Sequence, residues 1–311
     1  MYQSEILENK FIPNKMEDDN AEKVGVIEAE NRRLQQERPG GDDTLFTRYL
    51  YVKRQVMHSL FLALLEYHSD EAIFWGYELY YSGFQIEAME FIDSIYTTIY
   101  KPCCSPEFII FFQTKYELWK QDNTQDFILG ILIRNLAIRQ YDVNYFIEEV
   151  FHVKCIKKPE IRNKQFRITS INIDKYKTHD HVAEKGRFVL QKHCRYKIRN
   201  EVDDIFNMNL VDIKNKFHCH WEYYAYECPL WQERIMRHNG VKNDVTEIID
   251  FEDDDDAEEF YDLYGYEPDE QNKSVQEQCI GDQMVKQMSI KEFAQKYGGT
   301  IKSKFIIRRN K

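Results

Sequence analysis

Glycine and proline are scarce in this chain, 12 and 7 among 311 residues. Sandwiches, barrels and collagen-like chains need turn residues far more often, so those architectures are excluded and long helices are the expected default. Long apolar runs are missing too. The most apolar stretch, Phe127 to Ile138, spans twelve residues and carries Arg134, whereas a membrane span needs about 20. A buried helix is expected there, with no membrane partner. The N-terminal residues lack the apolar stretch of a signal peptide, and the seven cysteines are odd in number. Free thiols in a reducing, intracellular compartment, not a secreted protein, are the simplest expectation. Signatures of chemistry are also absent: there is no Gly-x-Ser-x-Gly, no Gly-rich phosphate loop and no Cys-x-x-Cys. Without them the sequence points to a non-enzymatic protein with no cofactor.

Aromatic residues and charge are what the chain has in abundance. It holds 21 Tyr and 20 Phe, and its formal net charge of -11 would argue against nucleic acid as a partner. That average conceals two blocks. From Lys154 to Arg199 there are fourteen Lys and Arg against four Asp and Glu, a net +10; from Asp244 to Glu270 there are fourteen Asp and Glu and no Lys or Arg, a net -14.

Hydrophobic spacing organises the rest into a mainly α fold: an antiparallel helical bundle or short solenoid, a smaller helical extension, and disordered charged arms. Residues 1–43 are polar and end in Arg38-Pro39-Gly40-Gly41, which reads as a flexible arm. A bundle is expected over 44–151. Leu45, Tyr49, Val52, Val56, Leu60 and Leu64 share one helical face near 44–67, and Ser69 is placed to cap the helix that follows, with Gly83 just past its end. A third helix is expected over 85–100. Ser105-Pro106-Glu107 reads as N-cap, first-turn proline and first-turn acid of the fourth; Thr124 and Asp142 are cap candidates for the last two. Residues 152–181 read as a basic irregular crossover or at most a short hairpin, and 182–242 as a smaller helical subdomain packed on the first. In 243–288, acid self-repulsion and a shortage of aliphatic residues favour disorder. In 289–311 a short helix beginning at Ser289 and ending at Gly298-Gly299 is followed by a basic tail.

Two stretches, YHSDEAIFWGYELYYSGF (Tyr67 to Phe84) and HWEYYAYECPLWQERI (His220 to Ile235), resemble segments of uncharacterised helical proteins of the nucleocytoplasmic large DNA viruses, the giant viruses. The resemblance spans about residues 44 to 240. It carries little function and no catalytic or ligand residues; the whole sequence is read as a non-enzymatic interaction, scaffold or virion-associated protein of a large DNA virus.

The basic block is the strongest candidate for binding. Lys154, Lys157, Lys158, Arg162, Lys164, Arg167, Lys175 and Lys177 are interleaved with Phe166 and Tyr176, and Lys192, Arg195, Lys197 and Arg199 extend the patch. Cations with stacking faces suit a phosphate backbone. The same cations suit an acidic protein surface or the acidic block itself, which makes a protein partner the first expectation and a nucleic-acid-associated accessory factor the second.

Metal is weaker. His193, Cys194, His218, Cys219, His220 and Cys228 crowd together, with His179 and His181 just upstream, but adjacent and alternate residues do not make the chelating pairs of structural zinc. A His-Asp metal-dependent phosphohydrolase would use His152, His179-Asp180 and Asp203 or Asp204, although His179-Asp180 falls in a polar crossover. Cys103-Cys104, between Pro102 and Pro106, reads as an incidental pair. Glu78, among Tyr77, Tyr80 and Tyr81, reads as a buried acid with a raised pKa, as an acceptor of tyrosine hydroxyls, or as a solvent-facing residue. The aromatic stripe Phe74, Trp75, Tyr77, Tyr80, Tyr81 and Phe84 reads as core packing, with a docking surface as the alternative.

Overall fold

A computed structural model describes residues 43–157, 166–177 and 185–306, without the side chains of Lys157 and of 302–306. The arm expected over 1–43 lies outside it except for Asp43. Within those residues the fold is mainly helical.

Helix α1 spans Lys53–Leu65 rather than starting near residue 44. Residues before it are held out of the helix because their N–H groups are used elsewhere. Phe46 N donates to the Tyr224 carbonyl (3.1 Å), Arg48 N to Ser82 Oγ (2.9 Å) and Tyr49 N to Glu78 Oε1 (3.1 Å), while Leu50 turns with φ of 57°. Helix α2 (Ser69–Tyr81) begins with His68, not Ser69, as its N-cap. Helix α3 (Gln85–Ile95) runs into a π turn, Tyr96–Tyr100, so the helical path reaches residue 100 as its spacing predicts. Helix α4 (Pro106–Gln121) starts as its sequence dictates: Ser105 Oγ accepts from Phe108 N, Pro106 occupies a position that needs no N–H, and Glu107 faces the positive helix end. Helix α5 (Phe127–Leu136) is the apolar one, and Ile128 to Ile133 are buried. Its N-cap is Asp126; Thr124 instead donates to Asp122. Helix α6 (Asn144–Phe151) completes six helices in this region, with Asp142 Oδ1 accepting from Asn144 N. Among the described residues no helix is long and apolar enough to cross a membrane.

Strand β1 (Val153–Lys157) corrects the reading of 152–181 as an unpaired crossover. Its partner is the antiparallel strand Gly299–Ile306, 146 residues further on by the register Cys155↔Ile301. Helices α7 (Val189–His193), α8 (Ile213–Cys219), α9 (Trp221–Ala225) and α10 (Pro229–Arg237) form the extension. It shares one continuous apolar core with the bundle, running from Phe46 to Tyr297. Trp231 Nε1 donates to the Thr47 carbonyl across that junction.

Residues 67–84 and 220–235 pack on each other. Leu230 N and Cys228 Sγ both donate to the Ser82 carbonyl, at 3.2 and 3.0 Å. Gly83, at φ of 100°, lies so close that a Cβ there would stand 2.5 Å from Pro229 Cβ. Gly83→Ala is therefore expected to cost about 2 kcal/mol or more. Urea unfolding checks it, and a midpoint within error of the parent's would mean the chain can turn here without glycine.

The acidic segment is folded, which overturns the expectation of disorder over 243–288. A hairpin of β2 (Val241–Asn243) and β3 (Ile248–Asp250) leads into α11 (Asp254–Tyr264) and then α12 (Lys273–Ile280). Two things offset the acid repulsion. Asp253 caps α11, accepting from Asp256 N at 2.9 Å, and Asp254, Asp255 and Asp256 sit in the first turn, where the helix dipole favours negative charge. Phe260 and Tyr266 are fully buried and pack on Trp221, with Tyr264 and Tyr266 against Trp231. Aromatic burial supplies what aliphatic residues do not.

Helix α13 (Ile290–Phe293) carries a full capping box between Ser289 and Glu292 and passes through a π turn at Ala294–Gly298. The residues after it form β4 (Gly299–Ile306), a strand as far as Ile306 rather than a tail; 307–311 lie outside the described residues.

His58 on α1 is buried, stacked on Phe206 at 4.3 Å, and its Nδ1 has no hydrogen-bond partner among the described residues. Burial, aided by Arg54, holds its pKa down to about 3. Below pH 6.5 the unfolded chain gains a proton that the folded chain refuses, so this residue's contribution to stability falls with falling pH until about 3. In His58→Phe that slope disappears. The stability difference between variant and parent should grow in the variant's favour by up to about 1.4 kcal/mol per pH unit between 6.5 and 4; a difference that stays flat would show His58 protonating freely in the folded state.

Candidate functional site

Structure separates the twelve cations of the basic block. Lys158, Arg162 and Lys164 lie outside the described residues, as does the Lys157 side chain. Several of the others are engaged internally. Lys154 pairs with Glu148 (2.8 Å), Lys177 with Asp174 and Asp126 (3.7 and 3.9 Å), and Lys197 with Asp282 (3.8 Å). Arg199 is the most committed: Nε and Nη2 donate to the two oxygens of Glu71 at 2.7 and 2.8 Å, and Nη1 donates to Glu66 at 2.6 Å. Burial works to raise the Glu66 carboxyl, but hydrogen bonds from Lys296, Tyr297 and Arg199 outweigh it and hold the pKa down to about 2. Arg167 lies 5.9 Å from the Phe111 ring centre, and Lys192 is exposed on α7.

Lys175 and Arg195 remain, and the fold brings them together. Both are exposed, neither has an ion-pair partner among the described residues, and both line a small notch with His193, Arg48, Tyr49, Phe74 and Tyr176. The rim is basic and the floor is aromatic. Tyr49, Phe74 and Tyr176 are buried, Tyr176 stacks on Tyr77 at 5.1 Å, and His193 stacks on Tyr49 at 4.9 Å. The opening holds about 10 Å³, room for roughly one water-sized group. No nucleobase fits between rings packed this way, whereas one anionic oxygen does.

Beneath the notch Arg48 and Glu78 form a buried ion pair, 2% and 0% exposed, with Nε 2.9 Å from Oε2. Glu78 also accepts from Thr47 Oγ1 (2.6 Å) and Tyr49 N (3.1 Å). Its partners are thus an arginine, a threonine and a backbone amide, not the neighbouring tyrosine hydroxyls. The Arg48 guanidinium lies 4.5 Å from the Tyr49 ring centre and 5.2 Å from that of Tyr81. Burial works against its charge, but Glu78 outweighs that and the pKa is raised. The guanidinium under the floor is therefore balanced by Glu78, and the positive character of the notch comes from its rim.

The two charged blocks meet at Arg187 and Gly186. Arg187 pairs with Glu267 and Glu270 (3.3 and 3.1 Å), and Gly186 packs so close to Gly265 that a Cβ would stand 2.7 Å from its carbonyl oxygen.

The metal candidates disperse. Cys194 lies against Cys279 (Sγ to Sγ 3.5 Å), His218 Nε2 against Gln276 Oε1 (3.0 Å) and His220 Nδ1 against the Glu247 carbonyl (2.9 Å). Cys219 is exposed, and Cys228 donates to Ser82. Among the described residues no three His, Cys, Asp or Glu side chains converge on a metal position. Of the phosphohydrolase set, His179 and Asp180 lie outside the described residues, His152 is the exposed left-handed cap of α6, and Asp203 accepts from Gln55 (2.6 Å). Phe74, Trp75, Tyr77, Tyr80 and Phe84 are buried, so most of the aromatic stripe is core.

No protein-family model, curated protein or solved structure matches this chain. Function must be read from the geometry alone. Lys175 and Arg195 were visible in the sequence as part of the block, but Arg48, Tyr49 and Phe74 were not, because nothing local connects residue 48 to residues 175 and 195.

Proposed function

We propose that this chain is a non-enzymatic interaction protein that receives an acidic side chain of a protein partner at the Lys175, His193 and Arg195 rim. One observation carries the reading: two exposed cations without an internal counter-charge among the described residues flank a notch sized for a single oxygen. Cations spent on internal pairs weaken the alternative, a groove that tracks a phosphate backbone, because such a groove needs many unengaged charges in a row. The resemblance of Tyr67 to Phe84 and His220 to Ile235 directs the search for the partner toward structural or virion-associated proteins of a large DNA virus.

Fluorescence anisotropy with a labelled Glu-rich peptide and a labelled single-stranded oligonucleotide, across about 50 to 200 mM salt, separates the readings. The expected result is peptide binding that Lys175→Glu/Arg195→Glu abolishes, with feeble oligonucleotide binding. Tight oligonucleotide binding with a steep salt slope, and none to the peptide, would replace this reading with the nucleic-acid one.

A further inference from the structure

Helix α1, the turn at Asn200–Val202 and the loop following α12 enclose a second cavity of about 150 Å³, on residues separate from the notch. No Lys, Arg or His lines it. Gln55 and Asn200 do line it, and they are 0% and 5% exposed. Each has its amide nitrogen engaged: Gln55 Nε2 donates to Asp203 Oδ2 at 2.6 Å, and Asn200 Nδ2 donates to the Asp282 carbonyl at 3.0 Å. A carbonyl only accepts, and so does the Asp203 carboxylate once ionised, so these partners fix the Asn200 amide and, with Asp203 ionised, the Gln55 amide with nitrogen toward them. The oxygens are left over. Gln55 Oε1, Asn200 Oδ1 and Asp203 Oδ1 are all buried without a hydrogen-bond partner among the described residues.

Three bare acceptors on residues that line one cavity are unusual, since buried polar atoms are nearly always paired. Their natural complement is a group with several N–H donors and a positive charge. Asp204 and Asp282 add negative charge to the same walls, and Arg54 does not cancel it, being held by both oxygens of Asp43 and by the Phe206 carbonyl, all at 2.9 Å. A metal held by carboxylates is not what is built, because no three such side chains converge. Met208, Leu210 and Ile280 supply an apolar wall.

We propose that this cavity binds an alkylammonium group, a primary amine on a short methylene chain, with the three N–H donors on the Gln55, Asn200 and Asp203 oxygens and the methylenes against Met208, Leu210 and Ile280. An ammonium has three donors and no acceptor, which matches the three unpaired oxygens. Two sources share this chemistry: a free polyamine, and the lysine side chain of a partner protein. Burial first, then Glu201 and Asp204, raise the Asp203 carboxyl to about 7, against Gln55 and Arg54. Ammonium binding therefore strengthens as pH rises through that value and Asp203 ionises.

Calorimetric titration of the full chain with putrescine, with Nα-acetyl-lysine N-methylamide and with tetramethylammonium at matched ionic strength tests this. Saturable one-site binding of either primary amine, and none of tetramethylammonium, which has the charge but no N–H, is the expected result. Binding of putrescine alone identifies a free polyamine, and binding of the lysine amide alone identifies a partner's lysine. Asp203→Asn should weaken binding about tenfold or more and remove its pH dependence. Asp204→Asn, at an exposed position that leaves the Gln55 contact intact, should weaken it by less and serves as the second variant if Asp203→Asn does not fold. Equal binding of tetramethylammonium, no binding of either amine, or affinities untouched by the variants would overturn the proposal.

Discussion

Glu78→Gln is expected to lower the unfolding free energy by about 3–5 kcal/mol. Glu78 and Arg48 are both essentially without solvent contact, so removing the carboxylate charge leaves a guanidinium buried opposite a neutral amide. Of a typical total of about 5–15 kcal/mol that is a large share. The glutamine keeps an oxygen for Thr47 Oγ1 and Tyr49 N, which isolates the charge from the other hydrogen bonds. Adding Arg48→Met should recover part of the loss, because a buried pair replaced on both sides leaves no orphaned charge. Urea unfolding of the parent, the single and the double variants measures this. If Glu78→Gln and the double variant lost equal stability, or neither lost any, the charge would not be what matters at this position.

Phe260→Ala is the second large effect, about 3–5 kcal/mol. Phe260 is fully buried on α11 between Trp221 and Phe251 and lies 5.9 Å from His238. It is the main apolar anchor of a helix whose exposed residues, Tyr261 and Leu263 apart, are acidic. Without it the repulsion within Asp253 to Glu259 is no longer offset, so cleavage by limited proteolysis should appear within 254–264 before the rest of the chain is attacked. Uniform resistance of that segment in Phe260→Ala would place its anchorage elsewhere.

What the sequence revealed of the fold was what local chemistry decides. Ser105-Pro106-Glu107 and Ser289 with Glu292 announce helix starts because cap, first turn and dipole lie within four residues. Phe127 to Ile138 announces a buried helix because its apolar residues are contiguous. What stayed hidden depends on distant partners. Cys155 gives no sign that Ile301 will pair beside it. The acids of 253–259 outvote Phe260, Tyr264 and Tyr266 in any local reading, since Trp221 and Trp231, which cover those rings, lie at least 29 residues away in sequence. Arg48 falls within the helix expected over 44–67 with nothing to single it out, and instead sits under a notch lined from residues 175 and 195. Gln55 and Asn200 carry no motif at all; only the fold shows that their nitrogens are engaged and their oxygens are not.

The central claim is that the acidic block is part of the core and therefore does not act as a free arm competing for the basic rim. Native-state hydrogen exchange of α11 tests it most directly. Amides of Ala257 to Gly265 should exchange as slowly as those of α2, with protection unchanged by added salt, because aromatic burial and helix capping hold the segment rather than long-range charge attraction. Exchange at the rate of an unfolded peptide, or protection that vanishes as salt rises, would contradict the claim and return the acidic block to the role of a mobile counter-charge.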